Sequence, residues 1–200
     1  MKTLYMMRHG QTLFNQKRLM QGWCDSPLTE LGKRQARCVK EYLENNEIVF
    51  DGAYASSSER ACDTLEIVTS LPYQRLKGLK EWNFGIYEGE SDDLDPPFPF
   101  GNFFKKFGGE SENEVSERVS TTVLELMKNT DQETVLIVSH GLSCYCFAKR
   151  WEQNQQVSLP NDMPNCVVLK YQFNDEQFSL VEVIDVTSDC LLYTSDAADD

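Results

Sequence analysis

Short apolar runs alternate along this chain with longer segments whose apolar residues recur at helical spacing. Apolar runs of about four to eight residues between turn signals are typical of buried strands. The runs here predict six strands, at residues 3–7, 50–56, 73–79, 133–141, 166–173 and 178–186. Only "NDEQ" separates the last two, which predicts a hairpin.

Segments with apolar residues three and four positions apart predict amphipathic helices, at residues 29–45, 57–70, 113–129 and 142–151. Thr29 stands where its hydroxyl can cap the first helix. Residues 82–111 fit neither pattern, because they are rich in proline, glycine and phenylalanine, and predict an irregular excursion. Strands that alternate with helices predict a three-layer α/β/α sandwich with a mostly parallel central sheet.

The chain has two histidines, and each directly follows a predicted buried strand. His9 stands between Arg8 and Gly10, and His140 stands before Gly141. Taken singly, each residue has an ordinary reading as a hydrogen-bonding histidine, a surface arginine or a turn glycine. Those readings do not explain why strand, histidine and glycine recur together. Since parallel sheets bind ligands beyond the carboxyl ends of their strands, we expect both histidines to face one crevice.

Phosphoryl transfer gives the pairing of histidine with arginine a chemical reason. A neutral imidazole is a nucleophile towards phosphorus, and a nearby guanidinium keeps it neutral by disfavouring a second positive charge. Arginine also presents a fork of donors that matches phosphoryl oxygens. A second histidine, if protonated, would stabilise the charge that develops on those oxygens. The spacing leaves open which of the two histidines attacks.

The bulk composition narrows the classes of partner. A formal net charge of −13 disfavours sequence-independent binding to nucleic acid or to an anionic membrane. Arg8 interrupts the N-terminal apolar run, and no apolar stretch approaches the roughly 20 residues of a membrane span. We therefore expect a soluble, cytoplasmic protein. The seven cysteines form no CxxC pair and show no regular spacing, so no zinc site is expected.

Residues 1–187 are interpreted as a single domain, with 82–111 as an insertion that covers the substrate. The chain ends in "DCLLYTSDAADD", which carries four aspartates without a cation and continues none of the predicted elements. We interpret 188–200 as a non-native or disordered tail and leave it out of the fold prediction. The final hairpin could present an apolar edge, so a homodimer stays open.

Six ordered motifs between residues 3 and 150 make the chain resemble the histidine phosphatase superfamily, in its phosphoglycerate-mutase-like branch. The motifs are "RHGQTLFN", "MQGWCDSPLTELGKRQA", "SSSERACDT", "LKEWNFGIYEG", "GGESENEVSERV" and "VLIVSHG". The resemblance implies that His9 is the nucleophile that forms a phosphohistidine, and that Glu81 is the general acid that later activates water. It further implies a phosphoryl pocket made by Arg8, Asn15, Gln21, Gly22, Arg60, Glu81, His140 and Gly141.

The family includes phosphatases and 2,3-bisphosphoglycerate-dependent phosphoglycerate mutases. Mutases usually carry a longer insertion between the acid and the second histidine, whereas here only residues 82–139, 58 in number, separate Glu81 from His140. A shorter cover leaves the phosphoenzyme open to water, so a phosphatase acting on a small phosphomonoester is predicted, with the mutase as the alternative. A non-catalytic phosphometabolite-binding module is a third reading, which the intact catalytic set disfavours. No metal or other cofactor is expected, because arginine and histidine meet the phosphoryl charge.

The excursion at 82–111 is expected to set the choice of substrate. Its phenylalanines either line an apolar wall or pack the loop on the sheet, and packing is favoured for most of Phe98, Phe100, Phe103, Phe104 and Phe107. Its acids either repel anionic substrates or are solvated, namely Glu88, Glu90, Asp92, Asp93 and Asp95. Lys105 and Lys106 would allow contact with a second anionic group.

Overall fold

The computed structural model describes residues 1–160 and 162–186, so the predicted tail at 188–200 lies outside the described residues. A six-stranded sheet forms the centre of the molecule. Its strands are β1 (Lys2–Arg8), β2 (Gly52–Ser56), β3 (Gln74–Leu76), β4 (Thr134–Ser139), β5 (Val168–Asn174) and β6 (Gln177–Ile184). Their order across the sheet is β3-β2-β4-β1-β5-β6.

The first four strands run parallel to one another, and β5 and β6 are added antiparallel beside β1. The turn between β5 and β6 places Asp175 and Glu176 at φ values of 49° and 60°. Positive φ at two central residues is what the right-handed twist of a two-residue hairpin requires. The predictions of a mostly parallel sheet and of a terminal hairpin are both confirmed.

The α-helices cover both faces of the sheet and are α1 (Leu13–Lys17), α2 (Glu30–Asn45), α3 (Glu59–Val68), α4 (Glu112–Asn129) and α5 (Gly141–Arg150). Side chains alternate along β1, so Leu4 and Met6 join the core formed with α4 and α5. Tyr5 and Met7 join the opposite core, formed with α2 and α3. The predicted three-layer sandwich is therefore confirmed. None of the helices in the described part of the chain has the length and apolar character that crossing a membrane needs.

Most predicted elements differ from the observed ones by one to three residues at their ends, and three differences have a clear physical reason. Helix α1 is absent from that prediction because its five residues are too short to show a helical period; a capping box of Thr12 and Asn15 begins it. The strand predicted at 73–79 pairs only over Gln74–Leu76, after which Lys77–Leu79 forms a 3₁₀ turn. The helix predicted from residue 57 begins at Glu59, whose amide donates to the Asp25 carboxylate.

The excursion at 82–111 is irregular, as predicted, and contains three 3₁₀ turns at Gly85–Tyr87, Asp92–Leu94 and Phe104–Phe107. Phe104 is fully buried. Its ring packs edge-on against the rings of Phe84, Phe100 and Phe103, with centroids 4.8 to 5.3 Å apart. Most of the loop's aromatic rings therefore hold it against the sheet.

Candidate active site

The two histidines lie side by side because β1 and β4 are neighbouring parallel strands. Arg8, at the end of β1, is in register with Ser139, at the end of β4, so a histidine follows each strand at the same edge. The His9 amide donates to the Ser139 carbonyl at 3.0 Å. The ring centroids of His9 and His140 are 5.2 Å apart. The histidines thus share one site, as expected.

His9 is buried, and its ring is fixed at both nitrogens. Nδ1 lies 2.8 Å from the Gly10 carbonyl oxygen. A carbonyl oxygen only accepts, so Nδ1 carries the proton and Nε2 keeps its lone pair. Arg60 Nε donates to Nε2 at 3.2 Å. The ring is therefore held as the neutral tautomer in which Nε2 carries the lone pair.

Arg60, on α3, is fully buried and uses each of its three nitrogens. Besides the contact of Nε with the histidine ring, Nη1 donates to the Cys24 carbonyl and to Asp25 Oδ1, both at 2.9 Å. Nη2 donates to the carbonyls of Gln21 (3.2 Å) and Gly22 (2.8 Å). The segment 21–25 thereby holds the guanidinium with its Nε towards the His9 ring.

Asp25 belongs to this site although the sequence did not single it out. While Oδ1 pairs with Arg60, Oδ2 accepts the Glu59 amide at 2.6 Å. Asp25 thus supplies the cap that begins α3 at Glu59 and also balances the buried arginine charge. An aspartate 35 residues from its arginine leaves no local signal in a sequence.

Two buried donors of the site have no hydrogen-bond partner among the residues that the structure describes: Arg8 Nε and His140 Nδ1. His140 Nε2 lies 2.7 Å from Ser56 Oγ, which itself accepts the Ser58 amide at 3.3 Å. The Ser56 hydroxyl can donate to Ser58 Oγ, at 3.5 Å, or to His140 Nε2, and in the second arrangement the ring proton of His140 lies on Nδ1. Buried donors without acceptors are costly, and an anion bound between them would relieve that cost.

The electrostatics of the site favour neutral histidines. Burial, followed by the charges of Arg60 and Arg8, lowers the pKa of His9 well below its usual range. Burial and then the charge of Arg60 likewise lower the pKa of His140. The protonated second histidine considered from the sequence is therefore not the form that this site favours. The neutral ring of His140 still offers a donor at Nδ1.

Glu81 lies against the N-terminus of α5, and both of its carboxylate oxygens are bound. Oε1 accepts from the amides of Trp82 and Ser143, both at 2.9 Å, and from the Ser143 hydroxyl at 3.1 Å. Oε2 accepts only the Leu142 amide, at 3.0 Å, among the described residues. Oε2 therefore has fewer donors than Oε1 and is the oxygen with room for a further hydrogen bond.

The backbone that carries Glu81 is fixed from α4 by Arg118. This guanidinium donates to the carbonyls of Gly78 (3.0 Å), Lys80 (2.8 Å) and Glu81 (3.2 Å). It also donates to both carboxylate oxygens of Glu110, at 2.8 Å each. Glu110 and Arg118 both belong to the motif "GGESENEVSERV", so this motif fixes the backbone at Glu81, a role that the sequence did not indicate.

Asn15 and Gln21, both predicted to contact phosphate, line the cleft in different ways. Asn15 Oδ1 accepts from the Thr12 amide (3.1 Å) and from Asn165 (3.3 Å), so its amide nitrogen is the group that can donate to a ligand. The Gln21 amide donates to Thr12 Oγ1 in the orientation that pairs donors with acceptors, and its oxygen then accepts from Arg60. Gln21 therefore supports the arginine.

The two glycines predicted at the phosphoryl pocket also differ. The Gly22 amide donates to Glu88 at 3.1 Å and its carbonyl accepts from Arg60, so both polar groups of Gly22 already have partners. Gly141 lines the cleft beside Arg8, where an added Cβ would lie 3.4 Å from Arg8 Nε. Gly141 therefore leaves room next to Arg8 Nε, which has no hydrogen-bond partner among the described residues, whereas both polar groups of Gly22 are already bound.

Six of the site residues line one side of a cleft of about 520 Å³, namely Arg8, His9, Asn15, Gln21, Glu81 and Gly141. His9 lines this cleft, and His140 is not among the described residues that do. Further out the lining is apolar, with Leu19, Met20, Phe84, Phe98, Leu142, Tyr145 and Met163. Three acids complete it, namely Asp92, Asp95 and Asp162. Within residues 1–160 and 162–186, no three His, Cys, Asp or Glu side chains are grouped as a metal ion would need.

Only one of the five phenylalanines at 98–107 lines the cleft. The Phe98 ring is half exposed and packs against Tyr145, with centroids 5.1 Å apart. Lys105 pairs with Glu114 at 2.6 Å, and neither it nor Lys106 is among the described lining residues. The expected contact of these lysines with a second anionic group is therefore not supported.

The fold and the site together define an α/β enzyme whose cleft ends at a buried histidine between arginines, an arrangement suited to phosphoryl chemistry. The chain belongs to the histidine phosphatase superfamily (branch 1), whose family model matches residues 4–186. The family predicted from the six motifs is confirmed.

Similar proteins include both enzyme types of this family. The chain is 32% identical over 162 residues to a Hydrogenobacter thermophilus protein whose name proposes a phosphoserine phosphatase; the match covers 70% of this chain and 74% of that protein. It is 31% identical over 158 residues to a Yersinia pestis protein whose name proposes a phosphoglycerate mutase, covering 73% of each. Phosphoglycerate mutase from Bacillus anthracis has the same fold, with a TM-score of 0.81, 26% identity and 95% of both chains covered. These similarities indicate an enzyme of the phosphatase or mutase type.

Proposed function

We propose that this protein hydrolyses small phosphomonoesters through a phosphohistidine on His9. One observation carries the proposal. His9 lines the cleft, and its Nε2 lone pair accepts from Arg60 Nε; two further buried nitrogens of the site that can donate, Arg8 Nε and His140 Nδ1, have no hydrogen-bond partner among the described residues. A phosphoryl group placed there would accept from these donors and present its phosphorus to Nε2.

In the first step, Arg60 Nε–H shifts its hydrogen bond from His9 Nε2 to a phosphoryl oxygen, the freed Nε2 lone pair attacks phosphorus, and the bond from phosphorus to the alcohol oxygen breaks. The electron pair of that bond stays on the alcohol oxygen, which takes a proton from Glu81 Oε2 and leaves as a neutral alcohol. Arg8, Arg60 and His140 donate to the equatorial oxygens as charge develops on them. The step ends with a phosphohistidine and an ionised Glu81.

In the second step, a water molecule enters from the side that the alcohol left. Glu81 takes a proton from this water as its oxygen attacks phosphorus, and the bond between phosphorus and Nε2 breaks. The electron pair returns to His9 Nε2, and inorganic phosphate is released. The net reaction converts one ester and one water into one alcohol and one phosphate, with His9 and Glu81 restored.

The outer cleft supports a phosphatase over a mutase. A mutase has to hold a second anionic group, but Arg8 is the only lysine or arginine among the described residues that line this cleft. Asp95 and Asp162 line the outer part, together with Asp92, which pairs with Arg18 at 3.1 Å. Acidic side chains that line the outer cleft disfavour the binding of a second anion there. The proposed substrate is therefore a monoester whose alcohol part is neutral or cationic, with apolar carbon to face Phe98.

A panel of phosphomonoesters tests the proposed function. We expect hydrolysis of esters with neutral or ammonium-bearing alcohols at a kcat/KM about tenfold or more above that for 3-phosphoglycerate, because a second anion meets like charges. The Asp95→Asn variant removes one of the acidic charges, so the kcat/KM for 3-phosphoglycerate should move closer to that of the neutral esters. Isomerisation of 3-phosphoglycerate, with added 2,3-bisphosphoglycerate, faster than any hydrolysis would contradict the proposal and favour the mutase. Phosphate binding without turnover would favour the binding module.

The cytoplasmic location, the single domain over 1–187 and the homodimer stay predictions.

A further inference from the structure

Glu88 binds backbone amides, whereas the sequence predicted that the acids of this loop either repel anionic substrates or are solvated. Its carboxylate accepts four backbone amides from two separate segments. Oε1 accepts from Trp23 (2.7 Å) and Phe84 (3.0 Å), and Oε2 accepts from Cys24 (2.9 Å) and Gly22 (3.1 Å). A carboxylate is the one side-chain group that can satisfy four donors in this way, because both oxygens only accept.

The amides that Glu88 holds belong to the same short segment whose carbonyls hold Arg60. Glu88 binds the amides of Gly22, Trp23 and Cys24, while Arg60 donates to the carbonyls of residues 21, 22 and 24. The peptide groups of this segment therefore lie between a carboxylate on one side and a guanidinium on the other. Arg60 Nε, in turn, donates to His9 Nε2.

Gly22 shows how closely this segment is packed. A Cβ at Gly22 would lie 2.4 Å from Glu88 Oε1 and 2.1 Å from the Trp82 carbonyl oxygen, well inside ordinary contact distance. The absence of a side chain is what lets the carboxylate approach the Gly22 backbone. Glu88 is thus built into the wall behind the phosphoryl pocket, although its position on a loop rich in acids suggested solvent.

We propose that Glu88 is a positioning residue: by fixing the backbone of residues 22–24, it sets the place of Arg60 against His9. This inference rests on the proposed function for its effect on turnover, but not for its effect on the His9 ring. Without the four hydrogen bonds, the carbonyls of segment 21–24 move, and Arg60 loses the acceptors that aim its Nε–H at the nucleophile. A bound phosphoryl group would then lose the hydrogen bond from Arg60 Nε.

Glu88→Gln is the test variant, and Glu90→Gln, an exposed carboxylate two residues away on the same loop, is the matched control. The glutamine nitrogen cannot accept, so two of the four amides would lose their acceptor. We expect kcat/KM for the best ester of the panel to fall by about 10²-fold, as for a misplacement of catalytic groups by about 1 Å. The Glu90→Gln enzyme should stay within about twofold of wild type.

The pH profile separates positioning from a merely structural role. The titratable and charged side chains around His9 are Arg8, Arg60, Glu81, His140 and Cys166. Of these, Arg60 makes the largest charge contribution to lowering the pKa of His9. If Arg60 moves away, the pKa of His9 rises, so the acid limb of kcat/KM should move to higher pH in Glu88→Gln and not in Glu90→Gln.

A second readout does not depend on turnover. The chain has two histidines, so their ring ¹⁵N resonances can be assigned with one His140→Asn spectrum. In Glu88→Gln, loss of the hydrogen bond from Arg60 should shift the ¹⁵N resonance of His9 Nε2 towards the value of an imidazole nitrogen whose lone pair accepts no hydrogen bond. Should Glu88→Gln fail to fold, Glu88→Asp keeps the charge but withdraws the oxygens, and the same shift is expected. An unchanged Nε2 resonance in a folded variant would overturn the proposal even if wild type proves not to be a phosphatase, and an unchanged acid limb would overturn it if wild type is one.

Discussion

The His9→Asn protein is expected to lose phosphomonoesterase activity by on the order of 10⁴- to 10⁶-fold, as other enzymes do when the nucleophile of a covalent mechanism is removed. Asparagine can fill part of the buried site but has no lone pair able to attack phosphorus. Steady-state kcat/KM on the best ester of the panel measures the loss. Binding of inorganic phosphate, measured by calorimetry, should survive within about tenfold, since Arg8, Arg60 and His140 remain.

His140→Asn is the matched control for that result, because it changes the other buried histidine beside the same arginines. We expect it to slow turnover by about 10²- to 10³-fold, the effect of losing one donor to the developing charge. It should leave the nucleophile in place, so a phosphoenzyme still forms. If His140→Asn abolished the phosphoenzyme and His9→Asn retained it, the roles of the two histidines would have to be exchanged.

Glu81→Gln is expected to lower kcat/KM for an alkyl phosphate by about 10²- to 10⁴-fold, the usual contribution of a general acid. Glutamine keeps an oxygen that can accept from the amides at the start of α5, so the helix should stay docked. It has no proton to give to the departing oxygen. The comparison of an alkyl phosphate with p-nitrophenyl phosphate measures this role directly.

The reason for that comparison is the leaving group. p-Nitrophenolate leaves without protonation, so the first step should be nearly unaffected in Glu81→Gln, while an alkoxide leaving group needs the acid. A loss of equal size for both esters in the formation of the phosphoenzyme would contradict the assignment of Glu81 as the acid. Unfolding temperatures of wild type and variant within a few degrees would exclude a loss of fold as the cause.

The parts of the structure that could be read from the sequence are those with a local pattern. Apolar runs end where β1 and β4 end, and the histidine after each run is placed by strand order alone. The parallel register of Arg8 with Ser139 then puts His9 beside His140. The sequence predicted that both histidines face one crevice, but it did not predict that β1 and β4 are neighbours, which the structure shows.

The supporting residues could not be read in this way, because their partners are far along the chain. Glu88 contacts amides at residues 22–24, and Arg118 contacts carbonyls at 78–81; nothing near either side chain indicates those partners. Asp25 has the same property with Arg60. A charged residue on a loop looks the same in a sequence whether it is solvated or buried against backbone, so the solvated reading of Glu88 was wrong.

The central claim is that phosphate passes through His9, and trapping tests it most directly. Glu81→Gln with p-nitrophenyl phosphate should form the phosphoenzyme and then hydrolyse it slowly, because no base activates water. An alkaline quench during turnover, followed by peptide mapping, should find acid-labile phosphate on the peptide that contains His9, in an amount matching a burst of p-nitrophenol. Phosphate on any other residue, or hydrolysis by wild type with no phosphoenzyme in either protein, would contradict the account.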